Sequence, residues 1–376
     1  MRGFVNPAVR RDPEFRGLFS DDDYRNVRAY FGSHPGLAPT PLKPQHSIAH
    51  ALGIASVDAK DETHRFGVNA FKIAGVRYAV HRLGDTVASL GLVCATAGNH
   101  GRAVARVAHE QGVPCTIFVP SGKTSNPLEH ATRAARVAAM REDGATVVDV
   151  DGSYEQAVRQ AAVFGAESGG TVVADTSWDG YEQIPRWIMA GYTQLFEEAS
   201  AQWNAPPTLV VVQAGVGGLA CAAASWFAWR FGQNRPYLVA AEPDTAACLL
   251  MSAEAGQAVT IHSSFDTIMA GLRCAEPSGM AWPAIAAGVD AFVTVTDASA
   301  IEAMRMLGAA PEGERVDAGP SGACGLAALI ELARAPELEN VRSHRASGSP
   351  HVPAGTPHPA RLDRSTRALV IITEGP

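Results

Sequence analysis

The chain has 376 residues, of which 47% are hydrophobic and 18% charged, and a formal net charge of −7. This composition suits a globular protein of two domains, and the mild negative charge, with no long run of one sign, excludes nucleic acid and anionic membranes as expected partners. No apolar run is long enough to span a bilayer, and residues 1–19, rich in arginine and acid and without an apolar core, are not expected to act as a signal peptide.

In chain order, residues 1–60 lack periodicity and are read as irregular, with a proline-rich turn at Pro39-Thr40-Pro41. Next comes Arg65-Phe66-Gly67-Val68-Asn69-Ala70-Phe71-Lys72, followed by Ala74 and Gly75. Apolar flanks would seat Lys72 in a partly desolvated pocket. Desolvation lowers an ammonium pKa, and only the neutral amine forms a Schiff base. Taken alone, the segment reads more readily as a solvated surface lysine, since lysine is seldom buried. From residue 93 strands and helices alternate. Cys94-Ala95-Thr96-Ala97-Gly98-Asn99-His100-Gly101-Arg102 leads into a helix. Strands are expected at 113–119, 145–150 and 171–174, and helices at 129–142 and 154–168. Such alternation predicts a parallel sheet.

A second such region starts with a strand at 208–213 and the loop Gln213-Ala214-Gly215-Val216-Gly217-Gly218-Leu219-Ala220. A small-residue helix and a strand at 237–241 follow, and a last strand is expected at 368–372. Residues 343–363, rich in Ser, Pro, His and Gly, read as a mobile surface loop. Its histidines, His344, His351 and His358, are spaced too irregularly for a metal site. The six cysteines (Cys94, Cys115, Cys221, Cys248, Cys274, Cys324) form no C-x-x-C pair and are read as buried free thiols in a reducing cytoplasm.

The glycine loop lets backbone N–H groups converge on an anion at a helix start, which fits a phosphate; a plain tight turn is the alternative. Its G-x-G-G spacing disfavours a dinucleotide and hence a nucleotide-binding dehydrogenase. Asp175 stands at a strand end before Trp178 and Tyr181, where neighbouring aromatics would raise its pKa and suit acid–base work; the alternative is a turn cap.

A lysine in an apolar setting, then Thr-x-Gly-Asn-His-Gly, then a glycine loop resembles the fold-type II pyridoxal phosphate (PLP) enzymes, the group of threonine dehydratase and the tryptophan synthase β-subunit. The segments from Arg65 to Lys72 and from Thr96 to Arg102, with Asp175-Thr176-Ser177-Trp178-Asp179-Gly180-Tyr181, Ile184-Pro185, Trp187-Ile188-Met189, Gly191-Tyr192 and Thr267-Ile268-Met269-Ala270-Gly271-Leu272, narrow this to a resemblance to diaminopropionate ammonia-lyase. The matches run from about residue 40 to the C-terminus.

The resemblance implies an α/β fold of two three-layer domains with parallel-rich sheets and the cofactor, pyridoxal 5'-phosphate, in the interdomain cleft. The large domain would comprise residues 1–92 and 201–376, and the small inserted one residues 93–200. Lys72 would bind the cofactor as a Schiff base and Asn99 would bond its ring hydroxyl. Gly215, Val216, Gly217, Gly218 and Leu219 would hold its phosphate. Thr373 would face its ring nitrogen, and this neutral partner makes a weaker electron sink that favours β-elimination over transamination. Thr96, Ala97, Gly98 and His100 would line the site for the substrate carboxylate, with His100 structural rather than an acid or base. Asp175 would handle the α-proton of the L-substrate, and Glu242 and Asp244 would line the mouth of the site. A small amino acid is the expected substrate, and a homodimer with no metal and no nucleic-acid or membrane partner the expected assembly.

The expected reaction is β-elimination of ammonia from 2,3-diaminopropionate, leading to pyruvate and ammonia. Family members that accept both enantiomers carry an aspartate just before Gly-Asn-His-Gly, where this chain has Ala97. An alanine cannot take a proton, so the activity is expected to be confined to the L isomer or to turn to another β-substituted L-amino acid. A β-replacement synthase on the same scaffold is the nearest alternative. A PLP-binding amino-acid sensor or pseudoenzyme is the alternative from another class.

Overall fold

The computed structural model describes residues 1–84, 91–121, 127–152, 154–334 and 362–376. Most of the loop expected at 343–363, with its three histidines, lies outside the described residues. The chain divides into one unit of Met1–His64 with Thr193–Pro376 and another of Arg65–Tyr192.

The first unit begins with β1 (Gly3–Val5), α1 (Asp21–Gly32), β2 (Leu42–Pro44), α2 (His46–Leu52) and β3 (Ser56–Asp61). The second contains α3 (Lys72–Leu83), β4 (Leu92–Ala95), α4 (Asn99–Gln111), β5 (Cys115–Pro120), α5 (Pro127–Glu142), β6 (Thr146–Val150), α6 (Tyr154–Ser168), β7 (Thr171–Val172) and the start of α7 (Gln183–Ser200). The first unit then resumes with β8 (Leu209–Gln213), α8 (Gly218–Phe231), β9 (Tyr237–Pro243), α9 (Cys248–Ala255), α10 (Trp282–Gly288), β10 (Ala291–Val295), α11 (Asp297–Gly308), α12 (Pro320–Arg334) and β11 (Arg367–Ile372).

Residues 1–60 are more regular than their sequence suggests. The Ser20 hydroxyl accepts from the Asp23 N–H at 3.3 Å, and the Asp23 carboxylate accepts from the Ser20 N–H at 2.8 Å. This capping box starts α1, and Asp21, Asp22 and Asp23 in the first turn suit the positive end of the helix dipole. The buried face is only Tyr24, Val27, Tyr30 and Phe31, so charged residues mask the helical period.

The first unit's described sheet has the order β1-β10-β9-β8-β11-β3-β2, with antiparallel edge pairs and a parallel interior. Central β8, Leu-Val-Val-Val-Gln, is buried at every residue, as a strand covered on both faces must be. Its core joins Val211, Val239 and Ile372 of the sheet to Leu326 and Leu329 of α12.

The second unit's described sheet is all parallel, in the order β6-β5-β4-β7. Helix α3 packs on α4, which is why this unit begins at Arg65 rather than at residue 93. Helices α3 and α7 cross at glycines. A Cβ on Gly191 would lie 2.8 Å from Gly75 Cα, and one on Gly75 would lie 2.5 Å from Tyr192 Cε1. The glycines thus admit the Tyr192 ring against Phe71, centroids 4.7 Å apart, directly beside the start of α3.

Candidate active site

Lys72 is the first residue of α3. The turn before it is strained, because Phe66 adopts φ 49°, ψ 37°, a left-handed conformation that a bulky residue seldom takes. Cation–π contacts hold Phe66 in place: its ring centroid lies 4.9 Å from the Arg65 guanidinium and 5.3 Å from that of Arg77.

Lys72 Nζ donates to Asp175 Oδ2 across 103 residues of sequence, and the two side chains are 22% and 18% exposed. His100 joins them, with Nδ1 3.9 Å from the same oxygen and Nε2 2.9 Å from the Val173 carbonyl oxygen. Burial pushes the Asp175 carboxyl up. The Lys72 charge, the nearby His100 imidazole and the hydrogen bond from Lys72 outweigh that and hold it well below the usual carboxylate range. The expected upward shift is therefore reversed. The aromatics that prompted it serve to fix the loop. Trp178 and Tyr181 stack at 4.1 Å, while the Tyr181 hydroxyl donates to the Val172 carbonyl and accepts from the Ala174 N–H.

The sequence shows Tyr192 only within the family-like segment Gly191-Tyr192 and assigns it no role. It is 1% exposed, and its hydroxyl lacks a hydrogen-bond partner among the described residues. It lies close enough to Lys72 and Asp175 to feel both charges.

Beside this cluster α4 begins at Asn99, with Gly98 as its N-cap. The Thr96 hydroxyl accepts from the Gly98 N–H at 2.9 Å, which sets the loop geometry. Ala97 and Gly98 are partly exposed and His100 is buried. The first N–H groups of a helix have no partner within it, so this end suits a carboxylate.

In the first unit, the glycine loop joins β8 to α8. Gly217 has φ 96°, and a Cβ there would meet Ile285 Cδ1 at 2.4 Å. A Cβ on Gly215 would meet Cys274 Sγ at 2.8 Å. The Val216 carbonyl accepts from the Ser278 N–H at 2.8 Å, which pins the loop. Just beyond β11, Thr373 is 3% exposed, and its oxygen accepts from Gln213 Nε2 at 2.8 Å. With that oxygen engaged, the hydroxyl hydrogen is directed toward another acceptor. In the sequence Gln213 shows only as the start of the glycine loop; its bond to Thr373, 160 residues away, comes from the fold.

Glu242 and Asp244 do not share the placement expected for them. Glu242 is fully buried and accepts from the Leu249 and Leu250 N–H groups at the start of α9, and burial pushes its carboxyl up to about 8. Asp244 is exposed. Among the described residues no group of His, Cys, Asp and Glu could hold a metal ion, and all six cysteines are free.

The donor sets fit pyridoxal phosphate. A lysine amine stands beside a carboxylate in one unit, and a glycine-rich loop at a helix start and a buried hydroxyl bonded by Gln213 stand in the other. Gly217→Ala is expected to cost about 1–3 kcal/mol of stability through the forced left-handed conformation, and to weaken phosphate binding. Thermal unfolding and titration with the cofactor check both; unchanged affinity would remove the loop from the cofactor's site.

The family described as "Pyridoxal-phosphate dependent enzyme" matches residues 34–342. Among curated proteins, the diaminopropionate ammonia-lyase of Salmonella typhimurium is 33% identical, over 93% of this chain and 88% of its own length. The biosynthetic L-threonine dehydratase of Mycobacterium bovis is 28% identical over 87% of this chain and 72% of its own length. The crystal structure of Escherichia coli diaminopropionate ammonia lyase with a reaction intermediate is 31% identical, with a TM-score of 0.84 over 99% of this chain and 93% of that one. Maize serine racemase, 24% identical with a TM-score of 0.75 over 96% of this chain and 95% of that one, shares the fold.

Proposed function

Because this chain belongs to the diaminopropionate ammonia-lyase family of pyridoxal-phosphate dependent enzymes, we propose that it eliminates ammonia from 2,3-diaminopropionate, acts on the L isomer, and so forms pyruvate and ammonia. The observation that carries the mechanism is the assembly of Lys72, Asp175 and His100 in one unit.

Bound through Lys72, pyridoxal phosphate supplies an electron sink for a carbanion at the substrate's Cα. Gly215, Val216, Gly217, Gly218 and Leu219 would hold its phosphate, Asn99 its ring hydroxyl and Thr373 its ring nitrogen. The start of α4, with Thr96, Ala97, Gly98 and His100, would hold the substrate carboxylate. Asp175 is kept ionised by the charges beside it, so at neutral pH it is ready to accept the α-proton. Lys72, hydrogen-bonded to that carboxylate, stands where it can exchange a proton with it. The β-amino group, protonated as an ammonium, leaves as ammonia with the electrons of the Cβ–N bond, and hydrolysis of the released product gives pyruvate and the second ammonia. Free cysteines suit a reducing cytoplasm, and a homodimer is the assembly that the family resemblance implies.

The test is pyruvate and ammonia release by the cofactor-loaded protein with no nucleophile added. Pyruvate formed in step with substrate loss supports elimination; pyruvate that stays low until a nucleophile is supplied supports the β-replacement reading instead. Stereochemistry has its own check. Ala97 is partly exposed at the loop before α4 and cannot accept a proton. Ala97→Asp is expected to raise pyruvate formation from D-2,3-diaminopropionate above the wild-type background. No gain would mean that more than this residue excludes the D isomer.

A further inference from the structure

The buried imidazole of His100 is held in one orientation. Nε2 lies 2.9 Å from the Val173 carbonyl oxygen, which can only accept, so in the neutral ring Nε2 carries the hydrogen and Nδ1 is bare. Nδ1 is buried and without a hydrogen-bond partner among the described residues, and it faces Asp175 Oδ2 at 3.9 Å. Asp175 Oδ2 already accepts from Lys72, so the unsatisfied acceptor is Nδ1, which gains a partner only when the group facing it carries a proton. The carbonyl that fixes the ring and the carboxylate that faces it are two positions apart in one segment, Val173-Ala174-Asp175, whose Ala174 N–H donates to the Tyr181 hydroxyl.

We propose that His100 holds the proton that Asp175 takes from the substrate, a positioning role that rests on the reading of Asp175 as the α-proton base. The Cα–H bond breaks, its proton passes to Asp175 Oδ2, and its electron pair stays with Cα. The carboxylic O–H then points at Nδ1. As the N–H bond forms and the O–H bond breaks, Asp175 returns to a carboxylate and His100 becomes an imidazolium. Closing the 3.9 Å separation to a hydrogen bond of about 2.8 Å needs only a small turn of the Asp175 side chain. The charged groups facing His100 are Asp175 and, from α3, Lys72; Cys94 of β4, Tyr181 and Tyr192 also sense Asp175. Burial shifts the imidazole pKa down, so the ring rests neutral and ready to accept.

The experiment has two readouts on the cofactor-loaded protein. Histidine side-chain ¹⁵N spectra are expected to give His100 as the neutral Nε2–H tautomer; a neutral Nδ1–H tautomer would overturn the proposal without reference to activity. The second is α-proton exchange of L-alanine in D₂O, which has no leaving group and so does not depend on diaminopropionate turnover. His100→Gln keeps a donor for the Val173 carbonyl but cannot take up a proton. Exchange is expected to fall at least about tenfold in this variant and to lose its dependence on a group titrating below the ordinary histidine pKa. Exchange at the wild-type rate overturns the proposal. Asp175→Asn separates the two readings. If it abolishes exchange while His100→Gln does not, only the role of His100 falls; if it leaves exchange intact, the assignment of Asp175 falls first.

Discussion

Lys72→Ala is expected to abolish the visible Schiff-base absorbance of the cofactor-loaded protein and to lower turnover by at least about 10³-fold, because a covalent group removed from a concerted set costs nearly the whole effect of the set. The geometry adds a second consequence. Lys72 donates to Asp175, and its charge is a principal reason that the carboxyl stays low despite burial. Without it burial has less to oppose it, so the Asp175 pKa rises. Lys72→Arg separates the two roles, since a guanidinium retains the ion pair but cannot form the Schiff base. Loss of the absorbance in both variants supports a covalent role; a normal absorbance in Lys72→Ala would move the attachment to another lysine.

Asp175→Asn is expected to reduce kcat for the L-substrate by about 10²–10⁴-fold, the usual contribution of a positioned acid or base, while the cofactor stays bound and its absorbance persists. The amide keeps the shape of the carboxylate, so the pinned loop with Trp178 and Tyr181 has no reason to move. A depressed folded-state pKa has a definite sign. Asp175 contributes stability above the ordinary carboxylate pKa, and that contribution is lost as pH falls through its still lower folded value. In Asp175→Asn this part of the acid destabilisation should vanish, which pH-dependent unfolding can measure. Unchanged turnover would return Asp175 to a structural role.

Contiguous motifs were the legible part of this site. Thr96 to Arg102 lies at the start of α4, as a Gly-Asn-His-Gly stretch opening a helix predicts, and the glycine loop lies between β8 and α8. The strands expected at 208–213 and 368–372 appear as Leu209–Gln213 and Arg367–Ile372, since apolar runs with turn residues at both ends report a buried strand directly. What the sequence hid is pairing between distant residues. The low pKa of Asp175 depends on Lys72, 103 residues away, while the local aromatics pointed the other way. Tyr192 reaches Lys72 only because Gly75 and Gly191 let two helices meet closely. Likewise, α1 is masked by its own acidic cap.

The most direct test is to give the cofactor-loaded protein L- and D-2,3-diaminopropionate in separate assays and to follow pyruvate and ammonia. The account predicts that the L isomer yields both and that the D isomer yields neither above background, since Ala97 offers no base. Turnover of the D isomer at a rate comparable with the L isomer, or no turnover of the L isomer while the Schiff-base absorbance is intact, would contradict it.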